Sequence, residues 1–582
     1  MTGLLTCGLI ANAVFLIFHP AWASSYPPVL QSLGINLVIF LVPAIPFLGA
    51  LISREEARPL ALLWAMIISF AVLVGALAFF SLTGWPLTAA GAWNGTWAVT
   101  NLLLLVGSRL GMVKAWRIPF ADRRWQLFGL LFIGSYSLYL WGAVSVVPAQ
   151  QDHDLEVQGT GYGLLTRFEP LLLTDRNTLY YFAHPPLLHF YAGASFLYYD
   201  QLDQLKYFDA ASQRALAAEQ GRPFEPPPIG LTSGGESMVV RHKIVGVQDG
   251  SYLLSPSLPD GRDRIAVREL ELISIYEHYA RSPHKLATRT PSIFLASLTV
   301  ALLGCWAAAL SGQWWAGMLA ALAYATSPEV FVRSSYGGYF AISNFALLLM
   351  LLATAGQGPS TDRIPTRDGF AAGCIAALAN HKLVIFPVAA VLWLLLTKAR
   401  RWHWVPVRSV VTGFALGAAL FWVYGWSINP AQFLEDHFRT HLLDRIIHHN
   451  PLGYGGYPGV ARLWIEFWQH TGYLLLPIGV LSLVLAVVSQ RESNSHSSPV
   501  AGLLAVYILI AAVVFSWVDW RMTKHLMLIA LPLHIAPLLW AGGRPKRLAS
   551  VCAVFAVLLI WNLYAVHGLS INFAAFRVSP AW

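Results

Sequence analysis

Three carboxylates fall within five residues at Asp152, Asp154 and Glu156, just past an apolar stretch at 126–147. Like charges this close repel, which can raise a carboxyl pKa or hold a cation. A carboxylate at a membrane surface can act as general base on an acceptor hydroxyl or amine. The same trio also fits the solvated start of an acidic loop. His184-Pro185-Pro186 sets a titratable ring at the head of a stiff turn. Glu277 and His278 offer a second acid and base, or the polar face of a helix. Lys382 stands between two apolar segments, where charge is costly and usually has a partner. Arg333, Arg521, Lys524 and His525 sit at the edges of apolar stretches. Phosphate binding would explain cations there, and so would snorkelling toward headgroups. His441, His448 and His449 lack the neighbouring carboxylate or cysteine spacing of a metal site.

The elements that must position these residues are membrane helices. Of 582 residues, 56% are hydrophobic and 12% charged, the latter about half of the ~25% of soluble domains. The 23 Trp, 22 Tyr and 31 Phe add to a surface too apolar for water. Cys7, Cys305, Cys374 and Cys552 lie in apolar runs, so no disulfide framework is suggested. At ~20 apolar residues per span, about fifteen stretches qualify: 3–22, 30–52, 59–82, 88–108, 126–147, 293–311, 313–331, 338–356, 369–381, 383–397, 409–428, 471–489, 499–517, 525–541 and 549–568. Ala21-Trp22-Ala23 resembles a signal-peptidase site, but the segment lacks a positive start and leads into further spans.

Charge orients the spans. The net charge is +9, yet 148–290 holds 17 acids against 13 bases, a balance of −4. Placing Arg109, Lys114, Arg117, Arg123 and Arg124 in the cytoplasm brings 17 of the 25 bases outside that segment to the same side, as the positive-inside rule expects. The basic total therefore points to loops and not to nucleic acid. The acidic loop becomes extracytoplasmic.

The expected fold is an all-α polytopic membrane protein of about fifteen transmembrane helices with a small extracytoplasmic α/β insertion. Its regions are a four-helix N-terminal segment (1–108), a basic segment and first core helix (109–147), a large outside loop (148–292), core helices (293–429), a second outside loop (430–470) and C-terminal helices (471–582). Within the first loop, 185–199 is apolar but too short to span, and reads as lying along the interface. Ser237–Val247, Asp249-Gly250 and Ser251–Ser255 read as a hairpin. No Walker A loop, paired-glycine dinucleotide turn or HExxH is present. Nucleotide-driven transport and a soluble nucleotide-sugar domain are thus unsupported.

The order of motifs resembles the GT-C membrane glycosyltransferases, in particular the protein O-mannosyltransferase and lipid A aminoarabinose transferase branch. The matching residues are Asp152-His153-Asp154, His184-Pro185-Pro186-Leu187, Arg289-Thr290-Pro291-Ser292, Ala325-Thr326-Ser327-Pro328, the Gly373 to Lys382 run, and Lys524-His525-Leu526 through Leu531-Pro532-Leu533. They cover about 126 to 545. The resemblance implies a polyprenyl-phosphate-linked sugar donor and inverting transfer at the outer face of a bacterial inner membrane. Asp154, or Asp152, maps to the family's first-loop base. His184 stands where relatives often have a basic donor-phosphate contact, and Lys382 matches the lysine ending the Gly-rich span. Arg521 and Lys524 join them as expected phosphate ligands.

The chain also departs from that pattern. Four additional spans precede the core, and about 75 residues are inserted between the Pro-Pro-Leu and the Arg-x-Pro-Ser. Tyr339-Phe340 occupies the region where many relatives carry a further Asp, and Glu329 or Glu277 is the expected substitute as second acid or acceptor contact. No cofactor is required, though Asp152 and Asp154 could bridge a divalent cation to the donor. Expected partners are the lipid-linked donor, a glycan, lipid or protein acceptor, and membrane lipids. The alternative reading is a transporter or flippase of a lipid-linked saccharide.

Overall fold

Most stretches of this chain are apolar on every side, and such stretches satisfy their backbone in lipid only as helices. The computed structural model describes residues 2–47, 58–83, 87–113, 123–146, 285–355, 366–397, 401–439, 459–489, 498–518 and 523–571, with a few single-residue breaks. Between 147 and 284 it describes 161, 164–165, 182, 184–199 and six strands.

The N-terminal helices are α1 (Thr2–Ile17), α2 (Pro28–Phe40), α3 (Arg58–Thr83) and α4 (Ala89–Arg109). Next come α5 (Arg123–Trp141), α6 (Leu187–Tyr198), α7 (Lys285–Ser311), α8 (Trp314–Thr326), α9 (Pro328–Ser334) and α10 (Tyr339–Ala355). The series continues with α11 (Thr366–Ala379), α12 (Ile385–Thr397), α13 (Arg401–Ile428) and α14 (Val460–His470). It ends with α15 (Leu475–Ser489), α16 (Ser498–Trp517), α17 (Thr523–Ala541) and α18 (Pro545–Ile571).

Among the described residues eight helices are long and apolar enough to cross a membrane, or ten if each of two bent pairs is one span. The fifteen stretches of the sequence are therefore not reproduced as fifteen separate spanning helices. The reason is visible at particular breaks. The stretch 313–331 divides at Ser327-Pro328, leaving α8 with 13 residues, roughly 20 Å at 1.5 Å per residue. The segments 369–381 and 383–397 meet at a 3-10 turn, His381–Val384. The axes of α9 and α10 differ by 110°, and those of α14 and α15 by 95°. In the second bend Gly472 and Tyr473 both adopt positive φ, 86° and 58°, a conformation costly for tyrosine.

Two packing arrangements hold the site in place. Helix α17 is almost wholly enclosed by its neighbours, with Leu526, Ile529, Leu533 and Leu538 buried. Helices α11 and α13 cross backbone against backbone: a Cβ at Gly373 would strike the Val410 carbonyl, and one at Gly413 the Phe370 carbonyl. The small residues of the Gly373 run thus allow the close approach typical of membrane helix pairs.

Helix α6 corrects an expectation. All twelve of its residues are buried, so this stretch is enclosed by protein instead of lying along the bilayer interface. It packs against α2, α4 and α7. The Phe40 ring lies 4.4 Å from Tyr191 and stacks 5.0 Å from Phe294. The Tyr198 and Thr96 hydroxyls are hydrogen-bonded at 2.8 Å. A helix that is apolar all round needs cover on every side, and the N-terminal helices supply half of it.

The strands β1 (Leu171–Leu173) and β2 (Thr178–Tyr180) pair antiparallel. The strands β3 (Ile229–Ser233), β4 (Glu236–Gln248), β5 (Ser251–Ser255) and β6 (Arg264–Ala266) form an antiparallel sheet in chain order. Gln248 pairs with Ser251, the register expected of a hairpin closed by two residues.

Candidate functional site at one end of the helix bundle

Helix α5 begins at Arg123 and Arg124, and its far end runs into a π-helical turn, Gly142–Val146. The Cys305 thiol, near the end of α7, bonds the Arg124 carbonyl at 3.6 Å. At the other end of α7, buried Arg289 donates from a terminal guanidinium nitrogen to the Ala143 carbonyl at 2.8 Å. The arginine thereby satisfies one of the carbonyls that a helix end leaves open. Ser292 donates to the Gly338 carbonyl at 3.4 Å, which joins α7 to the turn before α10. The groups described next therefore gather at the end of the bundle remote from Arg123 and Arg124.

Asn380 builds the turn that carries Lys382. Its side-chain oxygen accepts from the Lys382 amide at 3.0 Å, and its amide nitrogen donates to the Ser343 hydroxyl of α10 at 2.9 Å. The Lys382 ammonium then reaches His525, at the start of α17, with Nζ to Nε2 at 3.0 Å. An ammonium only donates, so His525 accepts at Nε2 and carries its own proton at Nδ1. Lys524 and His525 are both buried. Cations at the N-terminus of a helix oppose the helix dipole. Lys382 and His525 thus bring two basic groups together in a partly buried corner.

His184 reaches the same corner from the first loop. Its segment is fixed at Phe182, whose amide donates to Asp436 at 2.6 Å and whose carbonyl accepts from His437 Nδ1 at 3.2 Å. The His184 ring is nearly parallel to that of His381 at 5.7 Å, and it leans on the Tyr339 ring at 4.1 Å. His437 meets the other side of His381 edge-on at 5.5 Å. The rings of Tyr339, His184, His381 and His437 thus form a file across four chain segments.

Beside this file lies a buried ion pair. Glu329 and Arg333, one helical turn apart in α9, meet at 2.8 Å. Arg333 also donates to the Tyr336 hydroxyl at 3.0 Å, and the second Glu329 oxygen faces His470 Nδ1 at 3.4 Å. These contacts tie the bend between α9 and α10 to the bend between α14 and α15.

Of the residues singled out in the sequence, His184 and Lys382 come to this corner, the first through His381 and the second through His525. Lys524 is buried next to His525 in the chain, and Glu329 is engaged with Arg333 and His470. Asp152, Asp154, Glu277 and Arg521 lie outside the described residues, as do His441, His448 and His449. Among the described residues no group of three or more His, Cys, Asp or Glu side chains could hold a metal ion. The sequence reading gave no role to Tyr339, His189, His381 or His437. Their signal was a histidine density at the ends of apolar stretches, which no local spacing singles out.

No family model matches the chain. No curated protein matches it either. Among solved structures, the crystal structure of ArnT from Cupriavidus metallidurans bound to undecaprenyl phosphate is similar to this chain, with a TM-score of 0.45 and 12% identical residues over 77% of this chain and 75% of that one.

Proposed function

We propose that this membrane protein is an inverting glycosyltransferase that moves a sugar from a polyprenyl-phosphate donor to an acceptor at the extracytoplasmic face. The observation that carries the reading is the Lys382–His525 contact, with His381, next to Lys382 in the same turn, nearly parallel to His184. An ammonium and several imidazoles meet there, where helices end. A phosphate leaving group needs stabilisation of that kind as its charge develops. The donor's lipid tail suits the apolar surroundings, and the donor bond is already activated, so no nucleotide is needed.

In this scheme His184, Lys382, Lys524 and Arg521 hold the donor phosphate. Asp154, with Asp152 beside it, takes the acceptor proton as the acceptor oxygen or nitrogen attacks the anomeric carbon. The bond from that carbon to the phosphate oxygen breaks, and polyprenyl phosphate leaves. Glu277 serves as second acid or acceptor contact. For Glu329 the same role would run through a carboxylate whose two oxygens already face Arg333 and His470. A divalent cation at Asp152 and Asp154 remains compatible with this scheme. The four-stranded sheet is taken as the core of an extracytoplasmic insertion.

The test is transfer of labelled sugar from a polyprenyl-phosphate donor by the purified protein, with membrane extracts as acceptor source. Wild type should form a glycosidic product, and Asp154→Asn should abolish it while expression and insertion stay unchanged. Uptake of lipid-linked saccharide into proteoliposomes without bond formation would instead establish a transporter.

A further inference from the structure

Tyr339 is held between two histidines of one chain segment. Its hydroxyl is hydrogen-bonded to His189 Nε2 at 2.5 Å, and its ring face lies against the His184 ring at 4.1 Å. His184 and His189 flank the start of α6, and Tyr339 is the first residue of α10. Tyr339 is 1% exposed and His189 fully enclosed, while His184 keeps 8%. Of the three, His184 alone keeps appreciable exposure.

We propose that Tyr339, tethered by His189, is the positioning residue for His184 in binding the donor phosphate. The inference rests on the reading of His184 as a phosphate contact. Pro185 and Pro186 fix the backbone after His184 but not its side-chain torsions. A wall is needed to keep the imidazole aimed, and the phenol ring supplies it. A π face also attracts an imidazolium, so the phenol ring holds His184 most firmly when it carries charge. The His381 ring, nearly parallel to His184 at 5.7 Å, is a second neighbour of the same imidazole. The hydroxyl bond to His189 stops the phenol from turning edge-on, which would lose the attraction.

The test is binding of a short-chain polyprenyl phosphate to the purified full chain in detergent, with thermal unfolding recorded for each variant. Wild type should bind, and His184→Gln should bind more weakly. If wild type does not bind, or His184→Gln binds like wild type, the phosphate reading of His184 fails. Given those two results, Tyr339→Leu should weaken binding about tenfold, within the range from an exposed to a desolvated cation–π contact. Tyr339→Phe, which keeps the ring but loses the tether, should fall between. His189→Gln can still bond the phenol and should stay near wild type, whereas His189→Leu should match Tyr339→Phe.

The decisive comparison is the double variant. Tyr339→Leu with His184→Gln should bind no worse than His184→Gln alone, because residues acting through one another are not additive. Wild-type affinity in Tyr339→Leu, or losses that add to those of His184→Gln, would overturn the proposal while leaving the phosphate reading intact. Should Tyr339→Leu fail to fold, Tyr339→Phe and His189→Leu carry the same additivity comparison.

Discussion

The Lys382 ammonium lies 3.0 Å from His525 Nε2, although 143 positions separate the two residues. The bond fixes a flexible four-carbon side chain at the start of α17, a helix almost wholly enclosed by its neighbours. If Lys382 holds the donor phosphate as proposed, replacing it with Gln removes a charge-assisted contact worth about 1.5–3 kcal/mol, or roughly ten- to a hundredfold in affinity. Binding of polyprenyl phosphate should fall by that factor, while binding of phosphate-free polyprenol should be unchanged. His525→Leu should cost less, since the ammonium stays but loses its fixed aim. Equal losses for both lipids would mean that Lys382 supports only the fold.

The Glu329–Arg333 pair predicts an asymmetric stability series. Both side chains are buried. Breaking such a pair from one side leaves an uncompensated charge and costs about 3–5 kcal/mol. Glu329→Gln should therefore lower the unfolding temperature in detergent strongly. Adding Arg333→Met should recover part of the loss, because two apolar or neutral groups tolerate burial better than one stranded guanidinium. Thermal scans of the single and double variants check this, and a Glu329→Gln variant as stable as wild type would contradict it.

Helix crossing gives a prediction at Gly373. A methyl there meets the Val410 carbonyl, which belongs to the backbone and cannot rotate away. Gly373→Ala should destabilise by roughly 1–3 kcal/mol through overpacking. Gly75→Ala, with nothing within 4 Å of the added carbon, should be neutral or stabilise by up to ~1 kcal/mol. Detergent stability of the two variants, measured side by side, separates the cases.

Topology can be read directly. In a chain cleared of Cys7, Cys305, Cys374 and Cys552, single cysteines at positions 154 and 400 should label from opposite sides of the membrane. Position 154 should react with an impermeant maleimide in intact cells, and position 400 only after permeabilisation. Labelling of both under one condition would remove the proposed base from the proposed face.

How much of this was legible beforehand differs by residue, for physical reasons. The membrane class follows from composition alone, because such a chain has no other way to cover its apolar surface. The hairpin around Gln248 and Ser251 was legible because its turn and strands are local. The enclosure of α6 was not: an apolar stretch of that length reads the same on a membrane surface or inside a bundle. The break at Ser327-Pro328 was read through, inside the stretch 313–331, because a proline in an apolar run does not give the angle across it. Lys382 could be picked out as a costly charge, but its meeting with His525 depends on how the 3-10 turn at His381–Val384 and the start of α17 come together across 143 positions. Tyr339 had no signal of its own, since its partners lie about 150 positions away.

The corner around His184 and Lys382, with Lys524 as a further expected ligand, is proposed to hold a polyprenyl phosphate. Native mass spectrometry of the protein purified in mild detergent tests it most directly. A bound mass matching a polyprenyl phosphate, retained by wild type and lost in Lys382→Gln, is the predicted result. Ordinary phospholipids alone, or the same adduct in both proteins, would contradict it.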